Sequence, residues 1–240
     1  MHDFDRDPEG VARVRAANPS ALTLDGTNTY VVGGWVVDPG PADDEHLAAV
    51  RAAASDRIEG VVLTHGHADH AEGADRLNAP VHRPGDGEDA GPFRAIATPG
   101  HSEDSVCLVW NERVCFTGDT VLGSGSVFIA PGEGSLSAYL QSLRRLRSLE
   151  LEVLCPGHGP YVWDPAAKLD EYIDHRLDRE RRLIEALDAG LRTQDELLDA
   201  AWADAPAELR YFAGLSLASH LEKLAEEGRL PEGVENPPAG

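Results

Sequence analysis

The chain has few cysteines and no long apolar run. Three cysteines in 240 residues, none in a C-x-x-C pair, exclude a disulfide scaffold, and each lies in an apolar segment typical of a buried thiol. No apolar run approaches the roughly 20 residues that a membrane span needs. The opening segment MHDFDRDPEG is acidic and polar, unlike a targeting peptide. We therefore expect a cytoplasmic protein in a reducing compartment.

Basic and aromatic residues are also scarce. Lysine and arginine number 21 against 42 acidic residues, which gives a net charge of −21, and aromatic residues make up 6% of the chain. Nucleic-acid affinity comes largely from basic groups that meet phosphates, and single-strand binders add aromatic platforms for the bases. Neither a basic track nor such a platform is evident in the sequence. The charge therefore argues against nucleic acids and anionic membrane surfaces as partners.

Residues 1–165 alternate strand and helix patterns, which predicts a layered α/β domain. Short apolar runs at 30–37, 60–63, 94–97, 106–110, 114–117 and 151–154 predict strands, and 44–54 and 136–149 predict helices. Ser135 is the expected N-cap of the second helix.

Residues 166–240 show almost no strand signal and form a predicted second, helical domain. Helices are expected over 168–189, from the N-cap Thr193 to about 203, and over 209–227, with Glu196 completing a capping box. Three helices with a short tail resemble a winged-helix module, which usually binds DNA. This region has 9 basic and 17 acidic side chains, a net charge of −8. The charge argues against DNA and favours a helical cap or a homodimer surface.

The chemistry-bearing residues follow predicted strands. The segment 64–70 (THGHADH) places His65, His67, Asp69 and His70 directly after one strand, with Gly66 expected to allow a tight turn. Three further strands each end in a turn that carries a metal-type ligand beside a glycine; these ligands are His101, Asp119 and His158. Histidine is a common metal ligand because its neutral nitrogen binds borderline metals near pH 7.

Counting these ligands predicts two metal ions. Five histidines and two aspartates exceed the four ligands of one tetrahedral zinc. One predicted site consists of His65, His67 and His101, the other of Asp69, His70 and His158, with Asp119 as the bridging carboxylate. Two ions about 3.5–4 Å apart can share a hydroxide for hydrolysis. Zinc (two Zn²⁺) is the default choice, and mixed N/O sites also accept iron or manganese.

This ligand set resembles the H-x-H-x-D-H pattern of the metallo-β-lactamase superfamily, followed by single His, Asp and His ligands. Segments 18–20 and 25–30, the turns around the three later ligands, 172–176 and the end of the chain resemble the β-lactamase-like protein 2 branch, over about residues 18–230. The resemblance implies an αββα sandwich with the metals at one edge between two sheets. It also implies a winged-helix-like C-terminal module and Asp69 as the proton-handling residue.

The resemblance leaves two activities open. The first is hydrolysis of a small-molecule thioester, ester or lactone; the second is single-strand-specific endoribonuclease or phosphodiesterase activity, as in animal members of the branch. The acidic charge favours the first, and only 38 residues separate Asp119 from His158, which leaves little room for an inserted RNA-binding domain. A non-enzymatic DNA-binding regulator is disfavoured because the ligand set is complete.

Four residues are candidates for substrate contact on the strength of the resemblance. Thr27 and Asn28 lie in a loop that resembles one near the metals, although a simple turn would also explain them. His175 and Arg176 lie on the first C-terminal helix, where a solvated helix face is the alternative explanation.

Overall fold

The computed structural model of the protein describes residues 6–234. Contacts divide the chain into two compact units. Residues 6–98, 104–127 and 147–168 form the first unit, and residues 99–103, 128–146 and 169–234 form the second. Within the described residues, no helix combines the length and apolar character that crossing a bilayer requires.

Two five-stranded mixed sheets form the first unit, in the orders β1-β2-β3-β4-β5 and β10-β9-β8-β7-β6. Pairs β3–β4, β4–β5 and β9–β10 are parallel, and the others are antiparallel. The strands are β1 (Val11–Arg15), β2 (Asn28–Val32), β3 (Trp35–Val37), β4 (Gly60–Val62), β5 (Val81–His82), β6 (Asp89–Ala90), β7 (Phe93–Ala97), β8 (Val106–Trp110), β9 (Val114–Gly118) and β10 (Val153–Pro156).

The alternation of side chains along each strand builds two apolar layers. Val37 and Val62 of the first sheet share one buried cluster with Phe93 and Phe116 of the second, so the main core lies between the sheets. The intervening residues Val36 and Val61 point the other way, into a cluster with Leu47 and Val50 of helix α1 (Asp44–Ala53). Sheets with flanking helices confirm the predicted αββα class.

Helices dominate the second unit. Among the described residues, the remaining α-helices are α2 (Ala68–Ala71) of the first unit, and α3 (Leu136–Arg147), α4 (Pro165–Asp188), α5 (Gln194–Ala201) and α6 (Arg210–Glu226), which lie wholly or mostly in the second. Leu183, Leu197 and Leu217, one each from α4, α5 and α6, meet in a common apolar core. Thr193 and Glu196 form the expected capping box, and Ser135 Oγ accepts from the Ala138 N–H at 3.3 Å.

Three strand predictions need correction. The run 30–37 is not one strand, because Gly33 takes a left-handed φ of 59° and turns the chain into the β2–β3 hairpin. The strand predicted at 151–154 lies at Val153–Pro156. The sequence patterns did not predict β1, β5 and β6; the last two have only two residues, too few to show a period.

The three cysteines are free and buried, as predicted. Between residues 166 and 234 the structure has helices and turns but no strand. The winged-helix resemblance and a domain boundary at 165/166 stay predictions.

Candidate metal centre

Several predicted ligands leave the ends of neighbouring strands. The Thr64–His70 segment follows β4 and enters α2, while Asp119 and His158 follow β9 and β10. Because β9 and β10 are parallel neighbours, their carboxyl ends lie at the same edge of the sheet. This topology accounts for the meeting of ligands that are far apart in sequence.

Four donor atoms converge at this edge. His158 Nε2 lies 3.3 Å from His70 Nε2, 3.2 Å from Asp69 Oδ2 and 3.3 Å from Asp119 Oδ1. His70 Nε2 lies 3.5 Å from Asp69 Oδ2 and 3.4 Å from Asp119 Oδ1. Metal–ligand bonds of 2.0–2.1 Å in a tetrahedron place neighbouring ligand atoms about 3.3 Å apart. The two imidazoles and two carboxylates therefore fit a zinc-sized divalent cation.

Asp38 orients these ligands. Its Oδ2 lies 2.9 Å from His70 Nδ1 and accepts the Thr64 hydroxyl at 2.6 Å, and its Oδ1 accepts the Thr64 N–H at 2.8 Å. A hydrogen bond from Nδ1 to a carboxylate fixes the tautomer of a metal-binding histidine. His70 therefore presents the lone pair of Nε2 to the cluster.

The hydrogen bonds of Thr64 also determine which ring nitrogen of His65 carries the proton. Its Nδ1 lies 3.0 Å from Thr64 Oγ1. The Thr64 hydroxyl proton is already given to Asp38, so His65 Nδ1 must be the donor and Nε2 keeps its lone pair. Thr64 thus sets the tautomer of His65, while Asp38, which accepts the Thr64 hydroxyl, sets the tautomer of His70. The His65 ring centroid lies 4.6 Å from that of His67 and 4.3 Å from that of His70.

Asp38 itself occupies a strained conformation, with a φ of 49° that side-chain-bearing residues rarely adopt. Thr29 Oγ1 donates to the Asp38 carbonyl at 2.6 Å and lies 2.9 Å from His46 Nε2. Because the Thr29 proton goes to Asp38, His46 Nε2 must donate to Thr29. Burial lowers the pKa of His46, which keeps its ring neutral. These buried groups hold Asp38 in its turn.

Two glycines allow the ligands to approach one another. A Cβ on Gly157 would lie 2.5 Å from His70 Cε1 and 2.7 Å from Asp119 Oδ1. Gly118 has a φ of 47°, and a Cβ there would lie 2.3 Å from Thr64 Oγ1. Gly66, by contrast, has no left-handed φ, and a Cβ there would approach Asp104 Oδ2 at 3.1 Å; the tight turn expected at Gly66 stays a prediction.

Asn28 fastens the loop that carries His158. It is completely buried, and its Nδ2 donates to the carbonyls of Pro156 at 3.0 Å and Gly159 at 2.8 Å. Tyr30 donates its hydroxyl to the same Pro156 carbonyl at 2.7 Å. Thr27 is also completely buried, and Asn18 binds its backbone and side chain. Substrate contact by Thr27 and Asn28 stays a prediction.

The cluster holds protons on histidine and negative charge on carboxylate. Burial opposes ionisation of Asp69, but His158 and His70 outweigh it and lower the pKa of Asp69 to about 2. Burial also opposes charge on His158, but Asp119 and Asp69 outweigh it and raise its pKa to about 9. The pKa of His70 is likewise raised, with Asp119 and Asp38 overcoming burial. A divalent cation would replace these protons.

The other candidates belong to the second unit. His101 is buried, and its Nδ1 lies 3.5 Å from the Phe128 carbonyl. His175 is half-buried, with Arg179 Nε 3.4 Å from its Nε2; burial and the neighbouring arginines lower its pKa to about 4. Arg176 is buried, with its guanidinium 5.7 Å from the Tyr139 ring centre. The metal role of His101 and the substrate roles of His175 and Arg176 stay predictions.

The sequence patterns did not predict Asp38, Thr64 as an orienting residue, or the Thr29–His46 pair. Asp38 had a visible signal, because the run Val36–Gly40 (VVDPG) repeats the strand, acidic residue and glycine order of the other ligand turns. Thr29 and His46 had none, since their contact depends on the packing of α1 against the sheet.

Comparison with known proteins agrees with this geometry. The sequence profile described as "Metallo-beta-lactamase superfamily" matches residues 22–79 and 77–158. The chain belongs to the metallo-β-lactamase superfamily. Among its curated superfamily relatives is a "Beta-lactamase-like protein 2 homolog" of Caenorhabditis elegans, 32% identical over 95% of this chain and 87% of the relative.

Two further members of the superfamily are informative. An "Atrochrysone carboxyl ACP thioesterase" of Aspergillus fumigatus is 34% identical over 85% of this chain and 77% of its own length. The crystal structure of a metallo-β-lactamase family protein from Thermus thermophilus superposes with a TM-score of 0.73 and 23% identity, over 91% of this chain and 94% of that one. The structural likeness supports the fold, and the named relatives support a hydrolase.

Proposed function

We propose that this chain is a dinuclear metal-dependent hydrolase that cleaves a small-molecule thioester. The observation that carries the proposal is the four-donor cluster of Asp69, His70, Asp119 and His158, whose histidine–histidine and histidine–carboxylate distances of 3.2–3.5 Å match edges of a metal tetrahedron. The family pattern assigns the second ion to His65, His67 and His101, with Asp119 as the shared ligand.

Zinc is the proposed metal because the donors are imidazole nitrogens and carboxylate oxygens with preset tautomers. Iron and manganese accept the same donor types and are the alternative metals. When bound, the pair of ions would supply hydroxide near neutral pH and offset the negative charge that develops on the substrate carbonyl oxygen.

Asp69 is the proposed proton carrier. Its side chain is 30% exposed against 14% for Asp119, so it is the more accessible of the two clustered carboxylates. Asp69 Oδ2 would take the proton of the attacking water as the new C–O bond forms. It would return that proton to the departing sulfur as the C–S bond breaks, which yields a carboxylic acid and a thiol.

Two observations favour a thioester over a polyanion. One relative, 34% identical to this chain, is named "Atrochrysone carboxyl ACP thioesterase". The net charge of −21 repels a phosphate backbone, which counts against the endoribonuclease alternative. We also propose that the substrate is a small molecule and that neither nucleic acid nor a membrane is a partner. We propose that the C-terminal module caps the site or forms a homodimer surface.

The test compares wild type with Asp69→Asn after removal of metal and reloading with zinc. Acetyl N-acetylcysteamine thioester and a single-stranded RNA oligonucleotide are the substrates. We expect thioester hydrolysis by wild type and a loss of about 100-fold or more in kcat/KM in the variant. Asp75→Asn, which alters an exposed carboxylate outside the cluster, is the control. Cleavage of RNA alone would overturn the proposal in favour of the nuclease.

A further inference from the structure

One arginine lies at the edge of the first sheet from which the Thr64–His70 segment leaves. β5 ends at His82, and Arg83 follows it directly. β5 runs parallel to β4, and beyond their paired residues the Leu63 N–H donates to the His82 carbonyl at 3.1 Å. Ligands of mixed α/β sheets gather at the carboxyl ends of parallel strands. The topology that brings the ligand-bearing turns together therefore also brings a guanidinium, which the sequence patterns did not predict.

The Arg83 side chain reaches the backbone between two of the predicted ligands. Gly66 separates His65 from His67 and is exposed. A Cβ on Gly66 would lie 3.8 Å from Arg83 Nη1, which is an ordinary contact distance. The φ of Gly66 is not left-handed, so the backbone does not demand glycine there. The missing side chain leaves the guanidinium open to a molecule that approaches the ligand segment from solvent.

The charge of Arg83 is available to such a molecule. Its side chain is exposed, and among residues 6–234 no carboxylate forms an ion pair with it. Other arginines of the first unit do form ion pairs with carboxylates. These pairs are Arg15–Asp25, Arg57–Glu59, Arg76–Asp44, Arg94–Asp89 and Arg113–Glu152. In a chain with 42 acidic and 21 basic residues, an unpaired arginine beside the predicted ligands is a site for an anion from outside.

The chemistry of the guanidinium selects an oxyanion. Its planar donors match a carboxylate or a phosphate, with two parallel hydrogen bonds. The net charge of −21 repels anions at long range, so an anionic substrate needs a local cation of this kind. Asp104 limits the occupant, because its Oδ2 would lie 3.1 Å from the same Cβ on Gly66. A small group with one negative charge can turn that charge toward Arg83, whereas successive phosphates of a nucleic acid would also meet Asp104.

We propose that Arg83 binds a carboxylate on the acyl group of the thioester, so that the substrate is a monothioester of a short dicarboxylic acid. The inference rests on the proposed function and names the substrate class of that site. Arg83 lies beside the segment that bears the ligands, so the anionic group belongs close to the reacting carbonyl. A carboxylate a few carbon atoms from the thioester meets that condition. The phosphate of a pantetheine arm does not, because a long arm with amide groups separates it from the sulfur.

The test compares two N-acetylcysteamine thioesters of similar size, succinyl, which has a terminal carboxylate, and butyryl, which has none. The readout is the ratio of their kcat/KM values with zinc-loaded protein, because a loss of metal or of folded protein affects both substrates alike. We expect wild type to prefer the succinyl thioester and the ratio to fall by about 10–100-fold in Arg83→Met. Arg83→Lys, which keeps the charge but not the planar donors, should retain part of the preference. Arg57→Met, which removes an exposed arginine before β4, is the control and should leave the ratio unaltered.

A binding measurement separates this inference from the proposed function. The succinyl amide of N-acetylethylenediamine has an amide in place of the thioester and is not hydrolysed on the timescale of a titration. Calorimetry should show that it binds wild type more tightly than Arg83→Met by the same factor, whereas the butyryl amide should bind both proteins alike.

The two measurements fail in different ways. Hydrolysis of both thioesters with an unaltered ratio in Arg83→Met would overturn the carboxylate site and leave the proposed hydrolase intact. Binding of the succinyl amide that depends on Arg83, without hydrolysis of either thioester, would overturn the hydrolase and support the carboxylate site. A loss in Arg83→Met that is confined to acetyl phosphopantetheine or to single-stranded RNA would assign Arg83 to a phosphate and overturn the proposal.

Discussion

At the scale of single residues, Thr64 has the most consequential hydroxyl in the centre. It donates to Asp38 Oδ2 at 2.6 Å and lies 3.0 Å from His65 Nδ1, so it connects the Asp38 side chain to a second histidine. Asp38 in turn fixes His70. Removing this one oxygen would free the tautomer of His65 and leave one Asp38 oxygen with a single partner.

We therefore expect Thr64→Val, which keeps the shape of the side chain, to weaken zinc binding by about 10–100-fold. Competition with a chromophoric chelator measures the affinity, and Thr64→Ser, which retains the hydroxyl, is the matched control. An unaltered affinity in Thr64→Val would mean that the hydroxyl does not orient the ligands.

Because histidine side chains of the metal-free cluster carry protons, we predict that metal binding depends on pH. The pKa of His158 is raised to about 9, so below that pH the ring carries a proton that a metal must displace. Apparent zinc affinity should rise by roughly tenfold per pH unit for each displaced proton and level off above about pH 9. Chelator titrations at several pH values measure this, and a flat profile from neutral pH to pH 9 would contradict it.

The raised pKa of His158 also makes the stability of the metal-free protein depend on pH. The carboxylates raise the pKa of His158 above its unfolded value of 6.5, so protonated His158 stabilises the fold. That contribution is complete below about pH 6.5 and is lost as the pH rises through about 9.

At the scale of elements, the loop after β10 depends on β2. Asn28 at the start of β2 donates to two carbonyls that flank His158, and Tyr30 on the same strand donates to one of them. The loop that carries this candidate metal ligand is therefore held by a strand of the other sheet, more than 120 positions away in sequence.

Asn28→Ala should destabilise the metal-free protein by about 2–4 kcal/mol, because the Gly159 carbonyl loses this donor and the Pro156 carbonyl keeps only the Tyr30 hydroxyl. Urea denaturation measures the change. Gln141→Ala, which deletes an exposed amide, should alter stability by less than about 0.5 kcal/mol. If the two variants are equally stable, Asn28 does not fasten the His158 loop.

Sequence patterns predicted the helices and strands whose hydrophobic periodicity extends over many residues or whose capping residues are strong. Helices α4 to α6 and strands β7 to β9 lie within a few residues of their expected positions, and the Thr193 capping box is present. The pattern failed at Gly33, where an apolar run hides a hairpin, and at two-residue strands. In the centre, the spacing of ligands was visible, but Asp38, Thr29 and His46 act through contacts that only the packed sheet and α1 create.

For the molecule as a whole, the net charge of −21 affects which substrates can approach more than it affects the fold. Acidity is spread along the chain, with −8 of it after residue 165, so both units repel a long polyanion. Asp69 and Asp119 are exceptions, because bound cations would neutralise them. The charge therefore opposes RNA and DNA as substrates without opposing a small neutral thioester.

The number of metal ions bound per chain distinguishes a dinuclear centre from a mononuclear or metal-free one. Elemental analysis of the purified, zinc-loaded protein should give about two ions per chain, with His158→Ala losing about one of them. His82→Ala, a half-buried histidine outside the cluster, should keep both. One ion or none in the wild type, or full occupancy in His158→Ala, would contradict the dinuclear centre.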